Sequence, residues 1–166
     1  WKKLPDMNVE RTDLGVAVDG KLFAVGGYGD GSWLRDGECL DLKDVDAIWK
    51  KLPDMGTQRQ SLGVAVGDGK LFAVGGWYDG SNYLKSGEYL DLKDVDAGWK
   101  KLPDMNVERT DLGVAVDGKL FAVGGYGDGS WLRDGECLDL KDVDAIWKKL
   151  PDMGTQRQSL GVAVGD

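Results

Sequence analysis

Residues 1–68 recur without a single change as residues 99–166. The chain is a 98-residue unit followed by the first 68 residues of a second copy. Inside the unit lies a looser repeat. The heptapeptide Trp1-Lys-Lys-Leu-Pro-Asp-Met7 returns at Trp49–Met55, Trp99–Met105 and Trp147–Met153, with spacings of 48, 50 and 48 residues. A period of about 50 residues with paired glycines marks a repeat architecture, in which each unit buries its apolar face on its neighbours. This period constrains the fold more than the chain length does. It also spreads any one chemistry thinly along the chain.

Composition narrows the classes further. With 42% apolar and 30% charged residues, a packed core is within reach and wholesale disorder is not expected. A net charge of −8 argues against binding the phosphate backbone of nucleic acid or adsorbing to an anionic membrane. No apolar run approaches the roughly 20 residues of a membrane helix. Cys39 and Cys137 occupy the same place in successive copies, and Tyr89 stands there in the intervening half-unit. A disulfide within one half-unit is therefore impossible. Each thiol is expected to be a small apolar group in a strand, with cross-linking between units or chains as the alternative.

Residues 59–105 show how one repeat reads. Ser61–Val66 is short, apolar and β-branched, and Lys70–Gly76 follows after Gly67-Asp-Gly69, a strong tight-turn signal. The pair is expected to form a hairpin buried on both faces, with Gly63 and Ala65 suited to a crowded position near an axis. Trp77–Asn82 reads as a polar, aromatic loop, Glu88–Leu92 as a third strand, and Lys93–Gly98 as a charged loop. Trp99–Met105 reads as a fourth, solvated strand, because Pro103 lacks a ladder donor and belongs on an edge. Two inner strands, an intermediate one and an edge strand make a four-stranded propeller blade running from axis to rim.

On these residues the chain resembles the Kelch repeat family. The likeness is carried by the hydrophobic strand, by the diglycines Gly26-Gly27, Gly75-Gly76 and Gly124-Gly125, and by the later Trp49, Trp99 and Trp147. The Glu-x-x-Asp strands also match (Glu38 to Asp41, Glu88 to Asp91, Glu136 to Asp139), as do Arg11, Arg59, Arg109 and Arg157 before each first strand. The family's third-strand Tyr appears here as Leu40, Leu90 and Leu138, and the gap from there to the Trp is lengthened by Lys-Asp-Val-Asp-Ala. The resemblance implies an all-β fold of tandem antiparallel blades, completed as a closed propeller by further repeats or stacked as an open array. Some Kelch-like propellers resemble copper radical oxidases, whose metal site needs histidines, and this chain has none.

The strand phase divides the chain into an outer strand of a preceding blade (1–7), blades at 8–55, 56–105 and 106–153, and the first strand of a following blade (154–166). Such a chain is expected to be a window of a longer polypeptide with a 98-residue period. Three blades do not close a ring, since propellers use roughly 4–8. Closure by further repeats, complementation between chains and an open superhelix all remain available.

Candidate sites are few. Without histidine there is no Ser-His-Asp or Cys-His nucleophile and no Cys/His zinc cluster, so no catalytic residue and no cofactor is expected. Asp41, Asp44 and Asp46, with Asp91, Asp94 and Asp96, are oxygen-rich enough to suggest calcium, although Lys43 and Lys93 sit among them and a solvated turn is the plainer expectation. The diglycines follow a strand with no helix after them, so they serve backbone geometry rather than a phosphate. Tyr28, Trp33, Trp77, Tyr78, Tyr83, Tyr126 and Trp131 cluster between the second and third strands. They are expected to cover the rim of their own blade, to contact another chain or unit, or to stack on sugar rings. The fourth-strand tryptophans, Trp1 included, are expected to pack between blades. The arginines are expected to tie a carboxylate or carbonyl across adjacent blades, with a ligand-binding ring as the alternative.

The expected function is that of a non-catalytic structural scaffold in a long array or filament, with copies of itself or further repeats as partners. The alternatives are an adaptor that presents its loops to another protein and a designed symmetric propeller. An adaptor diversifies its loops, and this chain repeats them.

Overall fold

The computed structural model describes residue 1 and residues 3–164. The described residues form three four-stranded antiparallel sheets, each ordered in sequence from an inner strand to an outer one. The strands of blade 1 are Gly15–Val18, Lys21–Val25, Gly37–Asp41 and Lys50–Lys51. Those of blade 2 are Gly63–Gly67, Lys70–Val74, Gly87–Asp91 and Lys100–Lys101. Those of blade 3 are Gly113–Val116, Lys119–Val123, Gly135–Asp139 and Lys148–Lys149. The all-β architecture of Kelch-type blades is thus present, and the three blades leave the arrangement open rather than closed.

Local chemistry explains the hairpins. Gly67 pairs with Lys70, and the two turn residues Asp68 and Gly69 have φ of 52° and 71°. Two successive positive φ values match the right-handed twist of the flanking strands, which is why Asp-Gly closes this hairpin. The inner strand begins at Gly63 rather than at Ser61, because Ser61 itself sits at φ 49° and is out of the ladder.

Two sequence expectations need correction. The fourth strand was expected over Trp99–Met105, but only Lys100–Lys101 pair with the third strand. Pro103 has no N–H, and the rest of the segment is tethered at single points, by Leu102 N–H to the Gly87 carbonyl (2.9 Å) and Met105 N–H to the Lys85 carbonyl (2.9 Å). The aromatic segment between the second and third strands is not a loop. In each blade it forms a two-stranded ribbon: Tyr28–Gly29 with Ser32–Trp33, Trp77–Tyr78 with Asn82–Tyr83, and Tyr126–Gly127 with Ser130–Trp131. Asp30-Gly31 and Asp128-Gly129, all at positive φ, supply the turns.

The core lies between blades rather than within them. Side chains alternate across each sheet, so every blade has a forward face toward the next blade and a backward face toward the previous one. Between blades 1 and 2, the forward residues Ala17, Phe23, Val25 and Leu52 meet the backward residues Leu62, Leu71, Ala73 and Leu90. Between blades 2 and 3, Phe72, Val74 and Met105 meet Leu112, Leu120, Ala122 and Leu138. Leu71, Phe72, Leu90 and Leu120 have no exposed surface, and burying such a side chain contributes about 1.5–3 kcal/mol.

At the axis the inner strands approach so closely that side chain and backbone must alternate. A Cβ on Gly63 would overlap the Val114 side chain of the next blade. The same Gly–Val contact recurs from Gly15 to Val64 and from Gly113 to Val162. Val16, Val64 and Val114 help line an axial cavity of about 340 Å³. Replacing Gly63 by Val forces blades 2 and 3 apart, and should cost about 1–3 kcal/mol in urea unfolding. The same substitution at Gly154, which has no neighbour within 4 Å, should leave stability nearly unchanged.

Candidate functional site

Each blade is bound to the one before it by an arginine that belongs to both. The main chain of Arg59 lies on blade 1, where its N–H donates to the Leu34 carbonyl (3.1 Å) and its carbonyl accepts from Gly27 N–H (2.8 Å). Its side chain turns into blade 2. Nη1 donates to the Gly75 carbonyl (2.9 Å) and the Ser86 carbonyl (2.8 Å), and Nη2 donates to Ser86 Oγ (3.0 Å) and Glu88 Oε1 (3.0 Å). Glu88 also accepts from the N–H groups of Gly56 (2.7 Å) and Thr57 (3.2 Å). The diglycine makes room for the main chain of the next arginine. Gly75 and Gly76 sit at φ 63° and 88°, and a Cβ on Gly75 would strike the Arg109 carbonyl of the following clamp.

Arg109 repeats the arrangement between blades 2 and 3. Its carbonyl accepts from Gly76 N–H (2.8 Å), and its guanidinium reaches the Gly124 carbonyl (3.1 Å), Asp134 and Glu136. Arg11 bonds the Gly26 carbonyl (3.1 Å), Asp36 (2.9 Å) and Glu38 (3.1 Å). Arg157 makes the main-chain half of the clamp, to Leu132 and Gly125, while its side chain is exposed. Arg59 and Arg109 therefore lie in the two seams, Arg11 binds blade 1 alone, and the Arg157 side chain is exposed.

The partners differ from blade to blade, and the electrostatics follow. Burial opposes the charge on Arg59, and with Glu88 as its one carboxylate partner its pKa falls below the ordinary guanidinium value. Burial also opposes the charge on Arg11, but bonds to both Asp36 and Glu38 outweigh it, so its pKa rises. For Glu38, burial pushes the carboxyl up, and the Asn8 N–H, Arg11 and the Asn8 side chain more than reverse this. Its pKa lies below the ordinary range.

The fourth-strand tryptophans cross the same seams. Trp99 Nε1 of blade 2 donates to the Pro53 carbonyl of blade 1 (2.9 Å), and Trp147 Nε1 of blade 3 donates to the Pro103 carbonyl of blade 2 (2.9 Å). Trp49 Nε1 donates to the Pro5 carbonyl (3.0 Å). Trp1 is fully exposed.

The ribbon aromatics divide their surface. Tyr28 and Trp131 are exposed, whereas Trp33, Trp77, Tyr78, Tyr83 and Tyr126 are half-buried. Tyr28 meets Trp33 edge-on within one ribbon (5.9 Å between centroids). Tyr83 meets Tyr126 edge-on across the seam between blades 2 and 3 (5.5 Å). Part of this aromatic surface therefore joins neighbouring ribbons.

The carboxylates weighed for calcium lie in tight turns. Asp41 accepts from Lys43 N–H (2.9 Å) and Asp44 from Asp46 N–H (3.0 Å), and Asp91 accepts from Lys93 N–H (2.9 Å). These carboxylates cap their own turns. Among the described residues no three acidic or thiol groups converge on a metal-sized point, Asp94 and Asp96 included. Cys39 and Cys137 are free, half-buried thiols, and burial raises the pKa of Cys39.

One feature was missed in the sequence. Asp13, Ser61, Asp111 and Ser159 occupy equivalent positions just before each Leu-Gly-Val, all with φ between 49° and 53°. They form a main-chain relay about the axis, from Ser61 N–H to the Asp13 carbonyl (2.7 Å), Asp111 N–H to Ser61 (2.8 Å) and Ser159 N–H to Asp111 (2.8 Å). The available signal was a short polar residue at one fixed place in every repeat, since Asp and Ser tolerate this left-handed conformation through local hydrogen bonds. Burial, with repulsion from Asp13, raises the pKa of Asp111 despite its bond to Ser61.

Two outcomes follow for stability. Replacing Arg59 by Ala leaves Glu88 buried without its cation and should cost about 3–5 kcal/mol in denaturant unfolding, well beyond the loss from exposed Arg157→Ala. Because the folded pKa of Glu38 is depressed, its contribution is complete above the unfolded carboxylate pKa and is lost as pH falls through the folded value. Melting temperature should therefore fall on acidification below about pH 4.5, and E38Q should flatten that slope while lowering the plateau at neutral pH.

The Kelch motif matches the chain three times, at residues 15–56, 58–106 and 113–154. No curated protein matches the sequence.

Proposed function

The chain belongs to the Kelch repeat family, and on that premise we propose that it is a non-catalytic scaffold whose working surface is the blade face itself, used to add blade upon blade in an extended array. Kelch repeats suggest a propeller-type scaffold, commonly one for protein interaction, and Kelch proteins are generally without catalytic chemistry. The observation that supports the array reading is the recurrence of residues 1–68 as residues 99–166, which gives blades 1 and 3 the same backward face. In blade 3 it lies under blade 2, where Val114 is 7% exposed, and in blade 1 the counterpart is Val16. Leu14, Leu22, Ala24 and Trp49 line a cavity of about 580 Å³ on this face. Residues of identical sequence in blade 3 show what such a face accepts, namely the forward face of another blade.

Seam geometry supports growth without a special terminus. Neighbouring blades meet through an arginine clamp, a tryptophan bond, an axial main-chain bond and an apolar layer, so stability adds seam by seam as in solenoids. The adaptor reading keeps one supporting observation: the exposed Tyr28 and Trp131 at the ribbons could anchor another protein. Those ribbons are identical in blades 1 and 3, which suits repeated contacts better than one asymmetric site.

Negative-stain electron microscopy, with sedimentation velocity alongside, separates the two. Fibres with a repeat commensurate with two blades, dispersed by Val16→Asp, are the expected result. Discrete particles at every concentration, unaffected by Val16→Asp, would overturn the array and leave the ribbon surface as the interaction site.

A further inference from the structure

The two seams are built from the same strands but filled differently at the rim. Between blades 1 and 2, the small Cys39 and an inward-turned Val95 both pack against the shared apolar cluster. Between blades 2 and 3, the large Tyr89 packs on Phe72 and lies in the cluster that contains Ala145. The rim loops are correspondingly inverted. In blade 2, Val95 packs inward and Ala97 is exposed, while in blade 3 Ala145 packs inward and Val143 is 98% exposed. Blade 1 repeats the blade-3 form, with Ala47 inward and Val45 85% exposed.

The loops themselves differ at one position. Each reads Lys-Asp-Val-Asp-Ala, followed by Gly98 in blade 2 and by Ile48 or Ile146 in blades 1 and 3. Gly98 has φ 72°, a conformation a β-branched side chain strongly resists. With it, residues Val95–Ala97 close a 3-10 turn in which Gly98 N–H bonds the Val95 carbonyl (3.0 Å). That turn rolls Val95 into the seam. With isoleucine in place of glycine no such turn forms, Val143 stays out, and Tyr89 and Ala145 line a cavity of about 330 Å³ at that place.

We infer that Cys39 with Gly98, and Tyr89 with Ile146, are two matched pairs that determine which blade can follow which. A cysteine-type forward face takes a glycine-type loop, and a tyrosine-type forward face takes an isoleucine-type loop. Like would not follow like. A tyrosine would collide with an inward valine, and a cysteine against an outward valine would leave a void. On the reading that blades add through their seams, this makes the blade pair the unit of addition and fixes its register.

The test is a pair of double-mutant cycles in the intact chain, read by thermal melting and by hydrogen exchange of the residue-98 amide. Cys39→Tyr and Gly98→Ile should each lower Tm by roughly 3–10 °C. Combined, they convert the first seam to the second type and should recover at least half of the summed loss, while protection of the residue-98 amide is lost in both variants carrying Gly98→Ile. Tyr89→Cys and Ile146→Gly should show the same mutual rescue in the other seam, which guards against a single variant that fails to fold. Losses that simply add in either seam would overturn the pairing. Both cycles are read within one chain, so absence of fibres would count against the array alone and leave this result standing.

Discussion

A buried guanidinium that belongs to two blades at once is the interaction on which the rest of this structure depends. A four-stranded sheet with apolar residues on both faces has no stable existence alone in water, because either face needs a cover. Burying faces supplies energy but little orientation, since apolar contact is non-directional. The arginine supplies orientation. Its main chain is fixed on one blade and its side chain on the next, so Arg59 and Arg109 set the distance and the rotation between sheets together. The desolvation cost of such a charge is offset by the bonds at its two terminal nitrogens, while Nε of Arg59 and Arg109 is buried without a hydrogen-bond partner, and the carbonyls of Gly75 and Gly124 at the clamp exist in that position because glycine permits the turn.

This explains why the glycines, the arginines and the glutamates recur together in the sequence. They are parts of a single device, and none is useful without the others. The tryptophans form a second, independent tie at the rim, where the indole N–H of one blade meets a proline carbonyl of the previous one. Proline thus has two effects in the same segment. It ends the outer strand after two residues, and its carbonyl, freed from the ladder, becomes the acceptor for the seam.

The blade was legible in the sequence because strand periodicity, Asp-Gly turns and a 50-residue repeat are local signals that point the same way. The spread of the carboxylates was legible only in part. Asp41 and Asp44 kept calcium open beside the plainer reading of a solvated turn, because spacing counts oxygens and does not say where their lone pairs are already engaged. The ribbons were misread as loops because a two-residue strand has no periodicity to detect, although Asp30-Gly31 carried the turn chemistry. The short outer strand was overread from a seven-residue motif whose proline had in fact been noticed. The axial relay through Asp13, Ser61 and Asp111 left only a short polar residue at a fixed place as its trace in the sequence. It depends on main-chain contacts between residues some 50 apart, which no local pattern encodes.

Alternation between neighbouring blades appears at three separate depths. At the axis, Asp13 and Asp111 are separated by Ser61, so carboxylates in the relay are never adjacent, and the repulsion that reaches Asp111 from Asp13 is that between every second blade. In the clamp, Asp36 and Asp134 are replaced in the middle blade by Ser86, which lowers the negative charge around every second arginine. At the rim, cysteine and tyrosine alternate against complementary loops. A net charge of −8 makes like-charged blades repel, and a stack of identical blades would place the same carboxylates at every step. Alternating two blade types doubles the spacing of the axial aspartates and of Asp36 and Asp134 in the clamp, while the clamp glutamates Glu38, Glu88 and Glu136 recur in every blade.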